Sequence, residues 1–203
     1  MRHFNEPSLP LDNLLDAAKV SLAEFESNLN IRPEKPKTVV QHWKPPMQDT
    51  YKVNYDDACF TKTDEAGIGV VVRNELGQVM TSLTKKIPMP LSVEVLKAKA
   101  VRRAMIITTE WGFHRAIFEG DSELVVKALF GDSSHHSCIG HIAKDCKSIM
   151  SFFQTCSFSH VRQQSNRVAH TLAKRARKSF PLSVWMKSVP PDISYIIYVD
   201  VTP

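Results

Sequence analysis

Residues 51–60 read YKVNYDDACF and residues 67–73 read GIGVVVR, and these two segments give the first evidence of the fold class. The first alternates between apolar and polar side chains, as a half-buried β-strand does, and the second is a short apolar run typical of a buried strand. A turn at residues 74–78 (NELGQ) leads into a third strand pattern at residues 79–86 (VMTSLTKK). The sequence therefore predicts an antiparallel meander of three strands.

Helical and strand patterns alternate after this meander. Residues 92–111 have helical periodicity and are rich in Ala, Lys, Arg and Met, and Gly112 ends that helix. A fourth strand pattern at residues 114–121 leads directly into another helix. The remaining patterns are helices at residues 122–130, 139–152 and 166–179 and a strand at residues 156–161. This order predicts an α/β domain built on a mixed five-stranded sheet, three antiparallel strands first, with helices on both faces.

The segments that flank this domain differ from it in composition. Residues 11–28 place apolar side chains at helical spacing, which predicts one amphipathic helix, and a proline-rich stretch follows it. We interpret residues 1–44 as an N-terminal helix and linker, and residues 45–179 as the α/β domain. Residues 180–203 contain four prolines and are interpreted as a C-terminal tail.

The composition is that of an ordinary globular protein. Hydrophobic residues make up 43% of the 203 residues and charged residues 23%, which argues against a disordered chain. No apolar run reaches the length of a bilayer, so we expect no membrane-spanning segment. The N-terminus lacks the apolar core of a secretory signal, and the protein is therefore expected inside the cell, in the nucleus or the cytoplasm.

The positive charge of the chain is concentrated in one region. The formal net charge is +5, and residues 156–180 contain six basic residues and no acidic one. These six residues are Arg162, Arg167, Lys174, Arg175, Arg177 and Lys178. Such a local excess is what the phosphate backbone of a nucleic acid attracts, although a solvated helix face has the same pattern.

Two acidic residues stand out by their position. Asp56 lies in the middle of the first strand, where a buried charge is costly unless it is compensated, and Asp121 lies where the fourth strand becomes a helix. Carboxylates that converge from separate elements are the ligands that Mg²⁺ prefers. A second interpretation stays open for Asp121, because Asp is also a favoured N-cap of a helix.

Four separated motifs resemble the plant ribonuclease H-like, or reverse-transcriptase-like, domain family. Residues 43–60 (WKPPMQDTYKVNYDDACF) match its W-x-P-P and K-x-N-x-D-G-A segment, and residues 67–80 (GIGVVVRNELGQVM) match its G-x-G-x-V-x-R segment. Residues 112–129 (GFHRAIFEGDSELVVKAL) and residues 160–174 (HVRQQSNRVAHTLAK) match the other two motifs. Four motifs in the family's order form a specific signal. The leading helix and the segment around Trp185 also resemble the flanks of retroelement-derived plant members.

The resemblance implies a ribonuclease H-like fold and an active site of Asp, Glu, Asp and Asp that holds two Mg²⁺ ions, or Mn²⁺ in their place. Asp56 matches the first Asp and Asp121 the third, so these two are the implied metal ligands, and His170 stands at the fourth position. Lys97 stands where the family has its metal-bridging Glu, and Asp57 stands where the family has Gly. A charged lysine offers no lone pair to a metal ion and repels it, so we expect Lys97 to pair with Asp56 or Asp121 instead.

The function implied by the family is cleavage of the RNA strand of RNA–DNA hybrids, and Lys97 predicts that this activity is impaired. Glu94 lies three residues earlier on the same helix and is the one candidate for a replacement ligand. The alternatives are a non-catalytic nucleic-acid-binding module and a decayed retroelement fragment. We expect the protein to be a monomer. We also expect it to bind hybrid or double-stranded nucleic acid by recognising the geometry of the nucleic-acid backbone. The implied nucleic-acid-binding residues are Arg162, Asn166, Lys174, Arg175 and Arg177.

Overall fold

The computed structural model describes residues 16, 19–22, 43–130 and 138–201. Contacts within the chain divide it into two units, residues 1–40 and residues 41–203. In the first unit the described residues are helical and exposed, and the rest of the helix predicted at residues 11–28 lies outside the described residues. Among the described helices, none is long and apolar enough to cross a membrane.

One mixed sheet organises the second unit. Its strands are β1 (Tyr51–Phe60), β2 (Glu65–Arg73), β3 (Val79–Pro88), β4 (Arg115–Gly120), β5 (Thr155–His160) and β6 (Leu182–Met186). The spatial order is β5-β4-β1-β2-β3-β6. The first three strands form the predicted antiparallel meander, and β4 and β5 add to it in parallel orientation on the side of β1. The carboxyl end of β4 therefore lies beside the middle of β1, which is where strand-borne side chains can converge.

Helices cover both faces of this sheet. They are α1 (Val93–Glu110), α2 (Glu123–Phe130), α3 (Gly140–Met150), α4 (Arg167–Arg175) and α5 (Ser194–Val201). The buried residues of α1 and α3 share one hydrophobic cluster with Val53 and Ile68 of the sheet. On the opposite face, buried residues of α4 pack against Val71. The strand pattern places alternate residues on opposite faces, and each face buries its own helices.

The sheet contains six strands, so the prediction of five was one strand short. β6 pairs antiparallel with β3, with Val184 opposite Leu83. This strand has only five residues, LSVWM, and prolines at positions 181 and 190 flank it. Such a short run carries little periodicity, and its partner strand lies far earlier in the chain. The residues interpreted as a tail thus supply both an edge strand and α5.

Two glycines on β2 allow α4 to approach the sheet closely. A methyl group at Gly69 would collide with the backbone of Ala169 and Ala173, and one at Gly67 would collide with the backbone of Ala173. Any side chain at these positions would push α4 away from β1 and β2. The G-x-G pattern at residues 67–69 therefore sets the distance at which α4 presents its polar side chains to β1.

Candidate nucleic-acid site and its acidic cluster

Asp56 is a buried carboxylate on β1 that contacts α4. It is 5% exposed, its Oδ2 lies 2.8 Å from Nδ1 of His170, and its Oδ1 accepts a hydrogen bond of 2.9 Å from the backbone N–H of Asp57. Burial raises the pKa of Asp56 above its usual value and the charge of Asp121 adds to the rise, while the two hydrogen bonds oppose it. Both carboxylate oxygens of Asp56 therefore already have a partner within the protein.

His170 is held in place by a second polar side chain. Nε2 of Gln163 lies 3.0 Å from Nε2 of His170. The same amide nitrogen lies 3.3 Å from Nδ1 of His170, the ring atom that contacts Asp56. His170 thus contacts Gln163 and Asp56 at once, and it positions the Asp56 carboxylate.

Asp57 points from β1 toward α1, where Lys97 lies. Its Oδ1 is 3.5 Å from Nζ of Lys97, and its side chain is 10% exposed. Burial raises the pKa of Asp57 to about 6, although the charge of Lys97 lowers it. We interpreted Asp57 only as a departure from the family's Gly. The acidic doublet at positions 56 and 57 was the signal that a further carboxylate stands at the site.

Asp121 directly follows β4 and is the most exposed of these carboxylates, at 39% of its side chain. Its Oδ1 accepts a hydrogen bond of 2.7 Å from Nζ of Lys97. The N-cap of the following helix is not Asp121 but Ser122, whose Oγ accepts from the backbone N–H of Val125 at 3.4 Å. The capping interpretation of Asp121 was therefore wrong, and its carboxylate is available to the site.

Lys97 projects from the second turn of α1 into the space between β1 and β4. The start of that helix is fixed by Ser92, whose Oγ accepts a hydrogen bond of 3.3 Å from the backbone N–H of Val95. Burial acts to lower the pKa of Lys97, but its hydrogen bond to Asp121 and the nearby carboxylates outweigh burial and raise the pKa above its usual value. Lys97 is therefore a permanent cation at neutral pH.

The structure brings the four residues implied as catalytic to one place and adds a fifth. Oxygen atoms of Asp56, Asp57 and Asp121 all lie within 4.8 Å of one another, and within the described residues this is the only such group of three. Lys97 contacts two members of this acidic cluster, and His170 contacts the third.

The acidic cluster does not fit the family's pair of divalent metal ions as it stands. Nζ of Lys97 already lies at hydrogen-bonding distance from Asp121, where a metal ion would have to bind, and its charge repels a divalent cation. Glu94 is exposed and is not a member of the group, so it does not replace the missing ligand. A charged ammonium offers donors and no lone pair, so Lys97 is not itself a metal ligand.

The residues implied as nucleic-acid-binding separate into three environments. Lys174 and Arg177 line an open groove of about 440 Å³ with His170 and Asp57, next to the acidic cluster. Arg162 is exposed beyond the end of β5. Arg175 and Asn166 are directed elsewhere, so the predicted stripe along the last helix is only partly continuous.

Asn166 and Arg175 have structural partners. Asn166 is 1% exposed, and its amide donates a hydrogen bond of 2.9 Å to the backbone oxygen of Tyr55, so its assignment to the binding surface was wrong. A motif match identifies the residue type but carries no information on solvent exposure. Nε of Arg175 donates to Asp192 at 2.9 Å, and its guanidinium lies over the ring of Trp185 at 5.3 Å. Arg175 thus joins α4 to the C-terminal segment.

A second cluster of charged side chains, the Arg73 network, lies on β1 and its neighbours. The guanidinium of Arg73 is fully buried, and it donates 2.8 Å hydrogen bonds to Asp200 and to Asn54. The ring of Trp43 covers this guanidinium at 3.9 Å and donates from Nε1 to Asn54. The network thereby joins β1, β2 and α5.

The Arg73 network continues across β1 to β4. Nδ2 of Asn54 donates to Glu119 at 3.0 Å, and Nζ of Lys52 lies 2.9 Å from the other carboxylate oxygen. Lys52 also donates to the backbone oxygen of Lys44 at 2.6 Å. Residues that carried the family resemblance (Trp43, Lys52, Asn54, Arg73 and Glu119) therefore hold the sheet and the segment before it together.

The family follows from comparison with known proteins. A family model described as "Reverse transcriptase-like" matches residues 54–176, which is more than half of the chain, and the chain belongs to that family. Among curated proteins, none matches the chain.

Solved structures of ribonucleases H share a fold with 62–64% of this chain. Ribonuclease H1 from the archaeon Halobacterium salinarum has a TM-score of 0.56 at 20% identity, covering 64% of this chain and 98% of that one. The N-terminal RNase H domain of a Mycobacterium tuberculosis protein has a TM-score of 0.57 at 20% identity, covering 64% and 94%. A compost-derived RNase H1 in complex with an RNA/DNA hybrid has a TM-score of 0.55 at 21% identity, covering 62% and 95%. The chain therefore has the ribonuclease H-like fold.

Proposed function

We propose that this chain is a nucleic-acid-binding domain of ribonuclease H type in which Lys97 takes the place of bound metal, so that cleavage of RNA–DNA hybrids is impaired. The observation that carries the proposal is the position of the Lys97 ammonium, 2.7 Å from Asp121 and 3.5 Å from Asp57. A fixed cation neutralises part of the acidic cluster but cannot activate a water molecule as a bound metal ion does.

The groove beside the acidic cluster supports binding of a phosphate backbone. Lys174 and Arg177 are exposed on its wall, and neither forms an ion pair with any described residue. Phosphate groups that enter the groove would displace the counterions of these two side chains. RNA–DNA hybrid or double-stranded nucleic acid is the partner we propose, because one of the structures with this fold contains an RNA/DNA hybrid. We propose that the protein binds it as a monomer. Such partners occur in the nucleus or the cytoplasm.

The acidic cluster itself supports a second candidate function, a weak hybrid ribonuclease. Three carboxylates within 4.8 Å are enough to hold one divalent cation if the Lys97 side chain rotates away. In that state Asp57 would supply the ligand that the family takes from its Glu. Mg²⁺ or Mn²⁺ would then be required, and Asp56 and Asp121 would be ligands with it.

One pair of measurements separates the two candidates. Binding of a fluorescent RNA–DNA hybrid is followed by anisotropy in EDTA and in Mg²⁺, and cleavage of the same hybrid is followed on a gel in Mg²⁺ and in Mn²⁺. We expect no gain in affinity in Mg²⁺ over EDTA and no cleavage above that of an Asp56→Asn preparation purified in parallel. Metal-dependent cleavage that the Asp56→Asn variant lacks would overturn the proposal in favour of the weak ribonuclease.

A further inference from the structure

A second concave site lies between α1 and β3, away from the groove at α4. It encloses about 280 Å³ and is lined by four basic residues and three isoleucines. These are Lys85, Lys99, Arg102 and Arg103 with Ile68, Ile87 and Ile106. One water molecule takes up about 30 Å³ in the liquid, so this basic pocket has room for a small anion and several waters.

The basic pocket has more positive charge than its own residues neutralise. Arg102 pairs with Asp145 at 2.9 Å, and Arg103 pairs with Glu110 at 3.3 Å. Lys85 and Lys99 have no ion-pair partner among the described residues. Two positive charges therefore remain over an apolar floor, which strengthens the attraction for an anion.

Two further observations indicate that the basic pocket can bind an anion. Nε of Arg103 is buried and has no hydrogen-bond partner within the described residues. Burial lowers the pKa of Lys85, and the neighbouring charges of Arg103, Arg102 and Lys99 lower it further. Like charges held around one cavity repel each other, and a bound anion would relieve that repulsion.

The register of the sheet places this pocket relative to the acidic cluster. Asp57 lies opposite Ile68 on β2, and Ile68 lies opposite Lys85 on β3. Two strand spacings, about 10 Å, therefore separate the backbone of Asp57 from that of Lys85. Side chains at these three aligned positions share the face of the sheet that α1 covers.

We propose that the basic pocket binds a phosphate group through Lys85, Lys99 and Arg103. Lys85, Lys99 and Arg103 line a single cavity, and phosphate has the charge and the acceptor oxygens to pair with all three. The phosphate comes either from the backbone of a nucleic acid that extends past the acidic cluster or from a free phosphorylated molecule. The pocket does not depend on the proposed function, because none of its residues belongs to the α4 groove or the acidic cluster.

The test of the pocket uses inorganic phosphate as the probe on the full chain. Amide shifts of residues 85, 99 and 103 are followed by NMR as phosphate is added, at constant ionic strength. We expect saturable binding at one site. The Lys85→Ala/Lys99→Ala double variant should weaken it by at least about tenfold, a loss of roughly 1.4 kcal/mol.

A matched control removes the same charge elsewhere. Lys62 and Lys147 are both exposed, form no ion pair with a described residue and lie outside the pocket. The Lys62→Ala/Lys147→Ala variant should bind phosphate as the wild type does. If Lys85 proves necessary for folding, the exposed Lys99→Glu substitution provides the same comparison. Wild-type protein without saturable phosphate binding, or equal affinity in the pocket and control variants, would overturn the proposal.

A hybrid titration identifies the source of the phosphate. The pocket holds a backbone phosphate if the pocket variant also weakens hybrid binding and lowers the slope of log affinity against log salt. The expected change in slope is that of roughly one to two phosphate contacts. If hybrid binding is unchanged while phosphate binding is lost, the pocket holds a free phosphorylated ligand. Either result supports the pocket. Failure of the proposed function would appear separately, as absence of hybrid binding by the wild type.

Discussion

Two clusters of charged side chains meet on β1, only two residues apart, and they differ in balance and in exposure. The Arg73 network pairs two cations with two carboxylates, and Arg73 and Asp200 are 0% and 3% exposed at their side chains. The acidic cluster sets three carboxylates against one lysine, and Lys97 and Asp121 are 24% and 39% exposed. A balanced, closed set of charges holds a fold together, whereas an unbalanced, open set retains charge that an external partner can use.

The comparison predicts the largest effect for removal of the buried guanidinium. Arg73→Met leaves Asp200 buried without a partner and removes a hydrogen bond from Asn54, and we expect a loss of roughly 3–5 kcal/mol in the free energy of unfolding. Denaturation by guanidinium, followed by circular dichroism, measures it. Arg115→Met on β4 is the control, because that arginine is exposed. A loss below about 1 kcal/mol would show that the Arg73 network behaves like a surface ion pair.

The second prediction reverses the charge of Lys97, the one lysine among the described residues that contacts the acidic cluster. Lys97→Glu changes the local charge by two units and adds a carboxylate beside Asp57 and Asp121. We expect Mn²⁺ to bind at least about a hundredfold more tightly than to the wild type. Calorimetric titration measures the affinity, and the melting temperature of this variant should rise on addition of Mn²⁺.

The control for this prediction is Lys147→Glu, which has the same charge change at an exposed position on α3. Metal-dependent cleavage of a hybrid should accompany metal binding by the Lys97→Glu variant and disappear when Asp56→Asn is added. If Mn²⁺ binds the wild type as tightly as the variant, Lys97 does not substitute for the metal.

Much of this comparison could be predicted from the sequence, because strand periodicity and motif spacing are local properties. Alternation in residues 51–60 indicated β1, and the family resemblance brought Lys97 and Asp121 to one site. The contribution of Asp57 was missed because a strand pattern assigns neighbouring residues to opposite faces. Where β4 ends beside the middle of β1, side chains from both faces come within reach of one another, and no sequence periodicity reports that.

Burial and long-range pairing could not be derived in the same way. Asn166 sits within a basic, polar segment and matched a site motif, yet its side chain is enclosed against β1. The pairing of β6 with β3, and of Arg73 with Asp200, joins positions far apart in the chain. Such contacts depend on the complete fold, because the energy of burying a charge is set by the partners that packing supplies.

The third prediction uses pH to distinguish the two clusters. The pKa of Asp57 is raised to about 6 in the folded protein by burial, whereas its ordinary value is 3.8. The folded state therefore binds this proton more strongly than the unfolded state, so the contribution of Asp57 to stability falls as pH rises from about 4 to about 6. Relative to Asp57→Asn, the wild type should lose up to roughly 2 kcal/mol of unfolding free energy over that interval.

Denaturation of both proteins at several pH values from about 3 to about 7 measures this difference, because that range extends roughly one unit beyond each end of the titration. Parallel stability profiles for the wild type and the Asp57→Asn variant would contradict the prediction. They would mean that Lys97 offsets the burial of Asp57 completely, and the acidic cluster would then be as well balanced as the Arg73 network.

The smallest expected effect concerns the groove that opens from the acidic cluster. Lys174→Ala/Arg177→Ala should lower the slope of log affinity for hybrid against log salt by roughly one to two units, because two phosphate contacts are lost. Arg175→Ala is the matched comparison on the same helix, since that guanidinium already pairs with Asp192. Fluorescence anisotropy at several salt concentrations gives both slopes. Equal slopes in all three proteins would indicate that the groove is only a solvated face.

Arg73 has a topological consequence for residues 41–203. Trp43 at one end of the described fold and Asp200 at the other both contact the same guanidinium. The guanidinium of Arg73 lies 3.9 Å from the centre of the Trp43 ring and 2.8 Å from the Asp200 carboxylate. The side chains of Trp43 and Asp200, near the two ends of the described part of this unit, thus meet at one guanidinium. A unit with this arrangement can be inserted into a surface loop of another protein, or circularly permuted through a short glycine-serine linker, without distorting its sheet.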